Sequence, residues 1–226
     1  MDSCPESFII KAYKPAVYRK DDVEICVLVT LGIPLNAKTN MDRSSVKVKD
    51  DALYRCNLAY VLDIVGPDGK HYERAFSQFS LIPIEYEVGH YMEDDTYDED
   101  PELVYGGGLT FFLSKYVAER FCAPINKNGL VEQWHPNGIK SMEYTMKDGK
   151  IHGDYFLFHP NGYLGLSGIW EKGKHVGEWA YYDENGNSIT EEEYDANYEG
   201  EDDEGEDDEG EGEGEDDEGE SDEDDK

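Results

Sequence analysis

The sequence predicts a mostly β protein of the α+β class, built in three parts. Three observations predict it: β-branched runs in the first half, a strict 24-residue repeat after them, and a closing segment too acidic to form a core. The parts are a small mixed N-terminal domain over residues 1–126, an antiparallel β-meander over 127–190, and a disordered polyacidic tail over 191–226.

The repeat consists of two full units, 129–152 and 153–176, and the start of a third at 177–190. The same residue types recur at the same places in each unit. The positions that define the repeat are Trp134, Asn137, Gly138, Gly149, Gly153, Phe158, Asn161, Gly162, Gly173, Gly177, Tyr182, Asn185 and Gly186. A register this regular predicts that each unit adds the same piece of structure to a growing sheet.

Turns are predicted twice in each unit. Asn-Gly between aromatic segments favours a type I′ hairpin turn, in which both central residues have positive φ. Asp148-Gly149 and Lys172-Gly173 mark the second turn. Two turns leave two strands per unit, so we expect one continuous antiparallel sheet from Gly129 to Ile189.

Two columns of large residues run through the aligned units. One column is Trp134, Phe158 and Tyr182, and the other is Val131, Tyr155 and Trp179. Because side chains alternate along a strand, residues three apart lie on opposite faces unless a β-bulge intervenes. The sequence therefore predicts either that both faces are partly covered or that the strand contains a bulge.

The repeat resembles MORN repeats, in the variant form of the YwqK-type antitoxin family. The resemblance covers about residues 127–190 and depends on the spacing of the aromatic residue, Asn-Gly, Gly-Lys and Gly-x-aromatic. It implies a β-hairpin repeat that serves as a scaffold or a protein-binding sheet and is not itself catalytic.

The N-terminal domain is predicted to be built mainly of strands. Strands are expected at 23–31, 58–65 and 109–113, where β-branched and apolar residues cluster. Ser114 is a candidate N-cap for a helix over 115–121. The apolar face of that helix would be Val117, Ala118 and Phe121.

The same region resembles an uncharacterised domain that is common in proteins of giant DNA viruses. The matching elements are Leu31-Gly32-Ile33-Pro34, Arg55-Cys56-Asn57, Tyr86-x-Val88-Gly89, Asp98-x-Asp100 and the strand that begins at Gly108. Thr110 stands where that family usually has a His. The resemblance implies a viral provenance and a fold, but no activity.

No catalytic, cofactor-binding or metal-binding residue is predicted, and the protein is expected not to be an enzyme. His135 and His159 lie two strands apart, about 9–10 Å, which is too far to share a zinc ion, so they should pack beside their turns. The stretch Glu93–Glu102 is expected to be a solvated acidic loop, and the glycines at 106–108 a flexible lead-in to the next strand. Cys56 and Cys122 should be reduced and buried.

Charge and composition limit the partners. The chain has 226 residues and a net charge of −33, and residues 191–226 contain 24 Asp or Glu and one Lys. Direct binding of nucleic acid is therefore disfavoured, because phosphates would be repelled. The tail could hold basic proteins such as histones, or it could only keep the protein soluble.

No secretory signal and no membrane span is evident, since no run approaches about 18 apolar residues. We therefore expect an intracellular location in a host cell, or a place in a virion. The leading hypothesis is a non-enzymatic interaction or structural protein of a large DNA virus. Its alternatives are a histone-chaperone-like binder of basic proteins and an antitoxin-like neutraliser of a partner protein. The sequence leaves the partner and the oligomeric state open.

Overall fold

The computed structural model describes residues 8–20, 23–78, 83–122 and 127–198. The tail beyond residue 198, Cys4 and the side chain of Cys122 lie outside the described residues. Within them the prediction of a mostly β protein with antiparallel sheets is confirmed. The strands are β1 Phe8–Lys20, β2 Val23–Pro34, β3 Leu53–Cys56, β4 Leu58–Val65, β5 Arg74–Ser77, β6 Glu85–Glu87, β7 Tyr91–Glu93, β8 Leu109–Phe112, β9 Gly129–Trp134, β10 Lys140–Lys147, β11 Lys150–Phe158, β12 Leu164–Glu171, β13 Lys174–Tyr182 and β14 Ser188–Ile189. The helices are α1 Lys115–Cys122 and α2 Glu191–Tyr198.

The long strand β1 organises the N-terminal sheet. It pairs with β2 along nearly its whole length and also pairs with β5 and β8. The sheet order is β3-β8-β1-β2-β4-β7, with β5 and β6 beside β1. Strand β1 was not predicted, because polar residues interrupt the apolar ones along it.

A buried apolar cluster fills this domain. Its largest members include Tyr54, Tyr86, Phe111 and Leu31, none more than 1 % exposed. Helix α1 closes a second, smaller cluster through Val117 and Ala118, both fully buried as predicted. Ser114 caps the helix, since its hydroxyl accepts a hydrogen bond from the Val117 N–H.

The acidic loop exposes nearly all its side chains, as predicted, but its backbone surrounds a buried cation. The Arg55 side chain is fully buried, and its guanidinium donates hydrogen bonds to the carbonyls of Leu103, Asp98, Gly107 and Asp100. Carbonyl oxygens therefore stabilise this charge where a carboxylate would be usual. The expectation of a purely solvated loop is wrong for the backbone that faces Arg55.

The glycines before β8 are packed, which corrects the expectation of a flexible lead-in. A Cβ at Gly107 would lie 1.7 Å from the Thr96 carbonyl oxygen. Gly108 has a φ of 114°, in the region that favours glycine. The backbone approaches so closely because Arg55 draws the Gly107 carbonyl inward at 2.5 Å.

Substituting Arg55→Lys should destabilise the fold by about 2–4 kcal/mol, because an ammonium keeps the charge but cannot reach four carbonyls in the guanidinium plane. Urea unfolding measures the change. The control is Arg19→Lys, which alters an exposed pair with Glu24 and should cost less than about 1 kcal/mol. Equal losses in the two variants would contradict a central role for Arg55.

The repeat forms a second antiparallel sheet, in the order β14-β13-β12-β11-β10-β9. It extends from Gly129 to Ile189 and contains all three Asn-Gly pairs at turns. The predicted turn type is wrong at these pairs: Gly138, Gly162 and Gly186 have positive φ, but the preceding Asn residues do not. Each of these glycine N–H groups bonds to the carbonyl three residues earlier, so the Asn is the third residue of a type I turn and the left-handed glycine follows it. Pro136 and Pro160 suit the second position of this turn, and Glu184 occupies that position in the third unit.

The second turn of each unit is the one with type I′ geometry. Asp148 and Gly149 have φ of 53° and 76°, and Lys172 and Gly173 have 54° and 80°. Gly153 and Gly177 then adopt φ of 90° and 72° where the strand register shifts. These glycines therefore allow β-bulges. The bulges lie before Tyr155 and Trp179 and not between the two columns, so they do not explain the three-residue spacing.

Side chains of the His-Pro-Asn-Gly turns connect each unit to the next. His135 Nε2 lies 2.7 Å from the Phe158 carbonyl oxygen, and His159 Nε2 lies 2.9 Å from that of Tyr182. The Asn137 and Asn161 amides donate to the carbonyls of Pro160 and Glu184, each at 2.6 Å. We call this set of bonds the turn ladder.

Asn161→Asp should destabilise the repeat by about 1–2 kcal/mol, because the carboxylate keeps the acceptor that serves Tyr163 N–H and loses the donor to Glu184. Thermal melts measure the loss. The matched control is Asn185→Asp at the same position of the third unit, where no side-chain bond to a further unit is present among the described residues. If Asn185→Asp lowers the melting temperature as much as Asn161→Asp does, the added charge and not the loss of the turn ladder explains the destabilisation.

The prediction of a disordered tail from residue 191 is wrong for its first eight residues, because Glu191–Tyr198 form helix α2. Thr190 and Glu193 cap it reciprocally: the Glu193 N–H donates to the Thr190 hydroxyl, and the Thr190 N–H donates to the Glu193 carboxylate. Neither helix of the described chain has the length and apolarity needed to cross a membrane.

Candidate functional site

One face of the repeat sheet is apolar across five neighbouring strands. Strand register places the members on a common face, because paired residues of adjacent strands point the same way. We call it the aromatic face. Its members are Val131, Met142, Tyr144, Met146, Tyr155, Leu157, Leu166, Gly168, Trp170, His175, Trp179 and Tyr181.

The rings of the aromatic face contact one another in a chain. Tyr144 and Tyr155 stack with centroids 5.7 Å apart, and Tyr155 lies 5.8 Å from Trp179. Trp170 meets Trp179 edge to face at 5.8 Å and His175 at 4.1 Å. Such contacts add about 0.5–1.5 kcal/mol per pair beyond the area they bury, so the face is held rigid by its own rings.

Gly168 makes room for the largest ring. A Cβ at this residue would lie 2.2 Å from Trp179 Cδ2, so the indole rests directly on the backbone of β12. The indole nitrogens of Trp170 and Trp179 are buried, and neither has a hydrogen-bond partner within the described part of the chain. Ring packing, not hydrogen bonding, therefore fixes their positions.

Helix α2 covers one end of the aromatic face. Tyr194 lies 5.5 Å from the Tyr181 ring and 6.4 Å from that of His159. The Tyr181 hydroxyl donates to Glu191 at 2.8 Å. Burial, together with that hydrogen bond and the charge of Glu191, raises the pKa of Tyr181 to about 12, so it remains a neutral donor at physiological pH.

The opposite face contacts the N-terminal domain through Glu132, whose side chain is 6 % exposed. Its carboxylate accepts hydrogen bonds from Lys140 Nζ at 2.6 Å and from the Tyr116 hydroxyl, and Arg120 lies 3.6 Å away. Burial alone would raise the pKa of Glu132, but the bonds from Lys140 and Tyr116 outweigh it and lower the pKa. The pair Glu132–Tyr116 thus joins the repeat to α1.

The predicted repeat positions take different roles. Trp134 leaves the aromatic face and packs against α1, 6.0 Å from Tyr116, while Phe158 stacks on Phe156. The column of Val131, Tyr155 and Trp179, not that of Trp134, Phe158 and Tyr182, builds the aromatic face. His135 and His159 serve the turn ladder, and no cluster of three or more candidate ligands occurs among the described residues.

Several functional candidates were missed by sequence reasoning. Met142, Met146 and Trp170 belong to the aromatic face but fall outside the aligned columns. Lys14 and Gln78, which line a cavity beside the first repeat, also carried no sequence signal. Nothing in the sequence distinguishes Lys14 from Lys11, the exposed lysine three residues before it on the same strand.

Substituting Gly168→Ala should cost about 1–3 kcal/mol in the native protein, because the new methyl group displaces the Trp179 indole. In a Trp179→Ala background the same change should cost almost nothing. Urea unfolding of the four proteins in this double-mutant cycle measures the coupling. Additive losses would show that the indole does not rest on Gly168 in solution.

Comparison with known proteins gives one match. Residues 1–118 fit the model of a family described as a family of unknown function, DUF5758. Neither a curated protein nor a solved structure matches the chain.

Proposed function

Since the chain belongs to the DUF5758 family, whose function is unknown, we propose from its own geometry that it is a non-enzymatic interaction protein. The aromatic face binds a segment of a partner protein. The observation that carries this proposal is an apolar face over five strands that, within the described residues, is covered at one end by Tyr194 of α2.

The composition of the aromatic face supports a protein partner. Tyr, Trp and Met are enriched in the centres of protein interfaces, and charged residues are depleted there. The face contains three tyrosines, two tryptophans and two methionines, and no Asp, Glu, Lys or Arg. Its rings are already ordered by mutual contact, so binding a partner there loses little side-chain entropy.

Charge favours a basic partner. The chain has a net charge of −33, and residues 199–226 alone contain 20 Asp or Glu and one Lys. Such a charge attracts a basic protein over about a Debye length and raises its rate of association. We therefore propose a partner that is basic overall and presents apolar side chains to the aromatic face. Histones are one class with that chemistry.

The repeat spacing resembles MORN repeats, and the N-terminal motifs resemble a domain of giant DNA viruses. Both likenesses support the same proposal, in which the protein is an interaction or structural component of a large DNA virus. A histone-chaperone-like role is favoured as a second candidate by the concentration of acidic residues directly after α2.

The test compares binding of a purified core-histone preparation by variants of the two sheet faces. Met146→Glu puts a charge on the aromatic face and should weaken binding by about tenfold or more. Ile169→Glu is the matched control, since Ile169 is 50 % exposed on the opposite face, and it should change affinity less than about twofold.

A chain that ends at residue 198 separates the two contributions in the same assay. It should lose most of the salt dependence of binding and keep the difference between Met146→Glu and Ile169→Glu. Equal affinity of the two face variants would refute the aromatic face as the binding surface. Absence of histone binding by the full chain would refute a basic partner of this class.

A further inference from the structure

A cavity of about 370 Å³ lies between the N-terminal sheet and the first repeat. Strands β1 and β8, helix α1 and the segment Trp134–Pro136 all contribute to its wall. Its size is within the range of small-molecule sites, and such sites often form where two structural units meet. The cavity is separate from the aromatic face, because Trp134 points to the other side of the sheet.

Lys14 brings a charge into this cavity. Its Nζ donates a hydrogen bond to the Thr110 hydroxyl, and among the described residues no carboxylate pairs with it. The side chain is partly reachable from the cavity but surrounded by protein on its other sides, and this burial lowers the pKa of Lys14 to about 8. The amine is therefore still mostly protonated at neutral pH, without an internal counter-ion.

The titratable groups around Lys14 do not supply that counter-ion. Burial raises the pKa of the Cys56 thiol to about 12 and raises the pKa of Tyr86 as well, so both remain neutral. His135 and Tyr105 complete the titratable lining, and neither side chain is a carboxylic acid. An unpaired ammonium in such surroundings is costly, and an anion that enters the cavity would offset the cost.

The rest of the lining suggests the shape of the ligand. Phe112 and Phe121 stack with centroids 4.9 Å apart, and Trp134 adds a third ring, so the walls favour a flat apolar body. Gln78 Oε1 is buried and has no hydrogen-bond donor among the residues that the structure describes. A ligand N–H or O–H at this point would satisfy it.

We propose that this cavity binds a small monocarboxylate with an aromatic body and one hydrogen-bond donor. The carboxylate pairs with Lys14 and Thr110, the ring packs against Phe112, Phe121 and Trp134, and the donor bonds to Gln78 Oε1.

A carboxylate fits better than a phosphate for two reasons. Lys14 is the one lysine or arginine in the described lining of the cavity, so a second negative charge on the ligand would remain unpaired. Its described lining also contains no arginine, the residue that binds phosphate in a planar, bidentate manner. A single-ring acid with one charge matches the available partners.

The test is calorimetric titration of the full chain with three probes. The first is para-hydroxyphenylacetate, the second its neutral amide, and the third phenylacetate, which lacks the donor. We expect the acid to bind at least about tenfold more tightly than its amide and about fivefold more tightly than phenylacetate. Affinity for the acid should fall as the pH rises through about 8 and Lys14 loses its proton.

Three variants assign these effects to residues. Lys14→Met should abolish both the preference for the acid over the amide and the pH dependence. Lys11→Met, an exposed lysine on the same strand, should bind as the native chain does. Gln78→Leu should reduce the affinity for para-hydroxyphenylacetate to that for phenylacetate and leave phenylacetate unchanged. The probe comparison on the native chain does not depend on how any variant folds.

Equal binding of the acid and the amide, a pH dependence that survives Lys14→Met, or no binding of any probe would each overturn the proposal. None of these outcomes bears on the aromatic face, whose test uses a histone preparation and other variants.

Discussion

Two consecutive carbonyls, those of Pro136 and Asn137, hold the repeat to the N-terminal domain. They accept hydrogen bonds from the backbone N–H groups of Leu53, Lys47 and Val48, and Pro136 also accepts one from the Arg43 guanidinium. Gly138 lets the turn come this close, because a Cβ there would lie 2.2 Å from the Val48 carbonyl oxygen. The docked turn directs Glu132 and Trp134 at α1, closes one wall of the Lys14 cavity and leaves the aromatic face turned away. An isolated repeat unit would make none of these contacts. The first Asn-Gly turn therefore both reverses the chain and fixes the position of the repeat against the N-terminal domain.

The repeat was largely predictable because its contacts are local. A 24-residue register, paired turns and columns of aromatic residues give the strand order and the hairpins, but not the bulges at Gly153 and Gly177. The turn type was predicted wrongly, because Asn-Gly was taken as the centre of a two-residue turn. The N–H of the glycine in each Asn-Gly pair bonds to the carbonyl three residues earlier, with or without a proline in the turn, so the glycine is the fourth residue of the turn. The ladder from His135 and Asn137 to the next unit could not be predicted either. It depends on how far one hairpin is displaced against its neighbour, which spacing along the chain does not specify.

The N-terminal domain was less predictable because its key contacts join distant residues. Lys14 meets Thr110 across 96 positions, and Arg55 meets the carbonyls of residues 98–107 across 43 to 52. From the sequence alone, Lys14 and Arg55 are simply charged residues, and charged residues ordinarily lie at the protein surface. The acidic loop was for the same reason assigned to solvent, although its carbonyls face inward and its carboxylates close turns at Thr96, Asp100 and Glu102. The sequence does not show the tertiary contact, namely which cation the backbone carbonyl oxygens surround.

The repeat sheet is closed differently at its two ends, and this bears on how the proposed complex would assemble. At the first end the N-terminal domain covers the turn of β9 and β10, as a capping element does in other repeat proteins. At the other end Asp183 replaces the ladder histidine and bonds to Asn187 of its own turn, so the ladder stops. Thr190 then starts α2, and Tyr194 returns the chain to the aromatic face. The acidic segment 199–226 follows directly on α2, whose Tyr194 contacts the aromatic face. In the proposed complex, a basic partner attracted by that segment would be held at a high effective concentration near the rings, so that weak charge attraction and a modest apolar contact would reinforce each other.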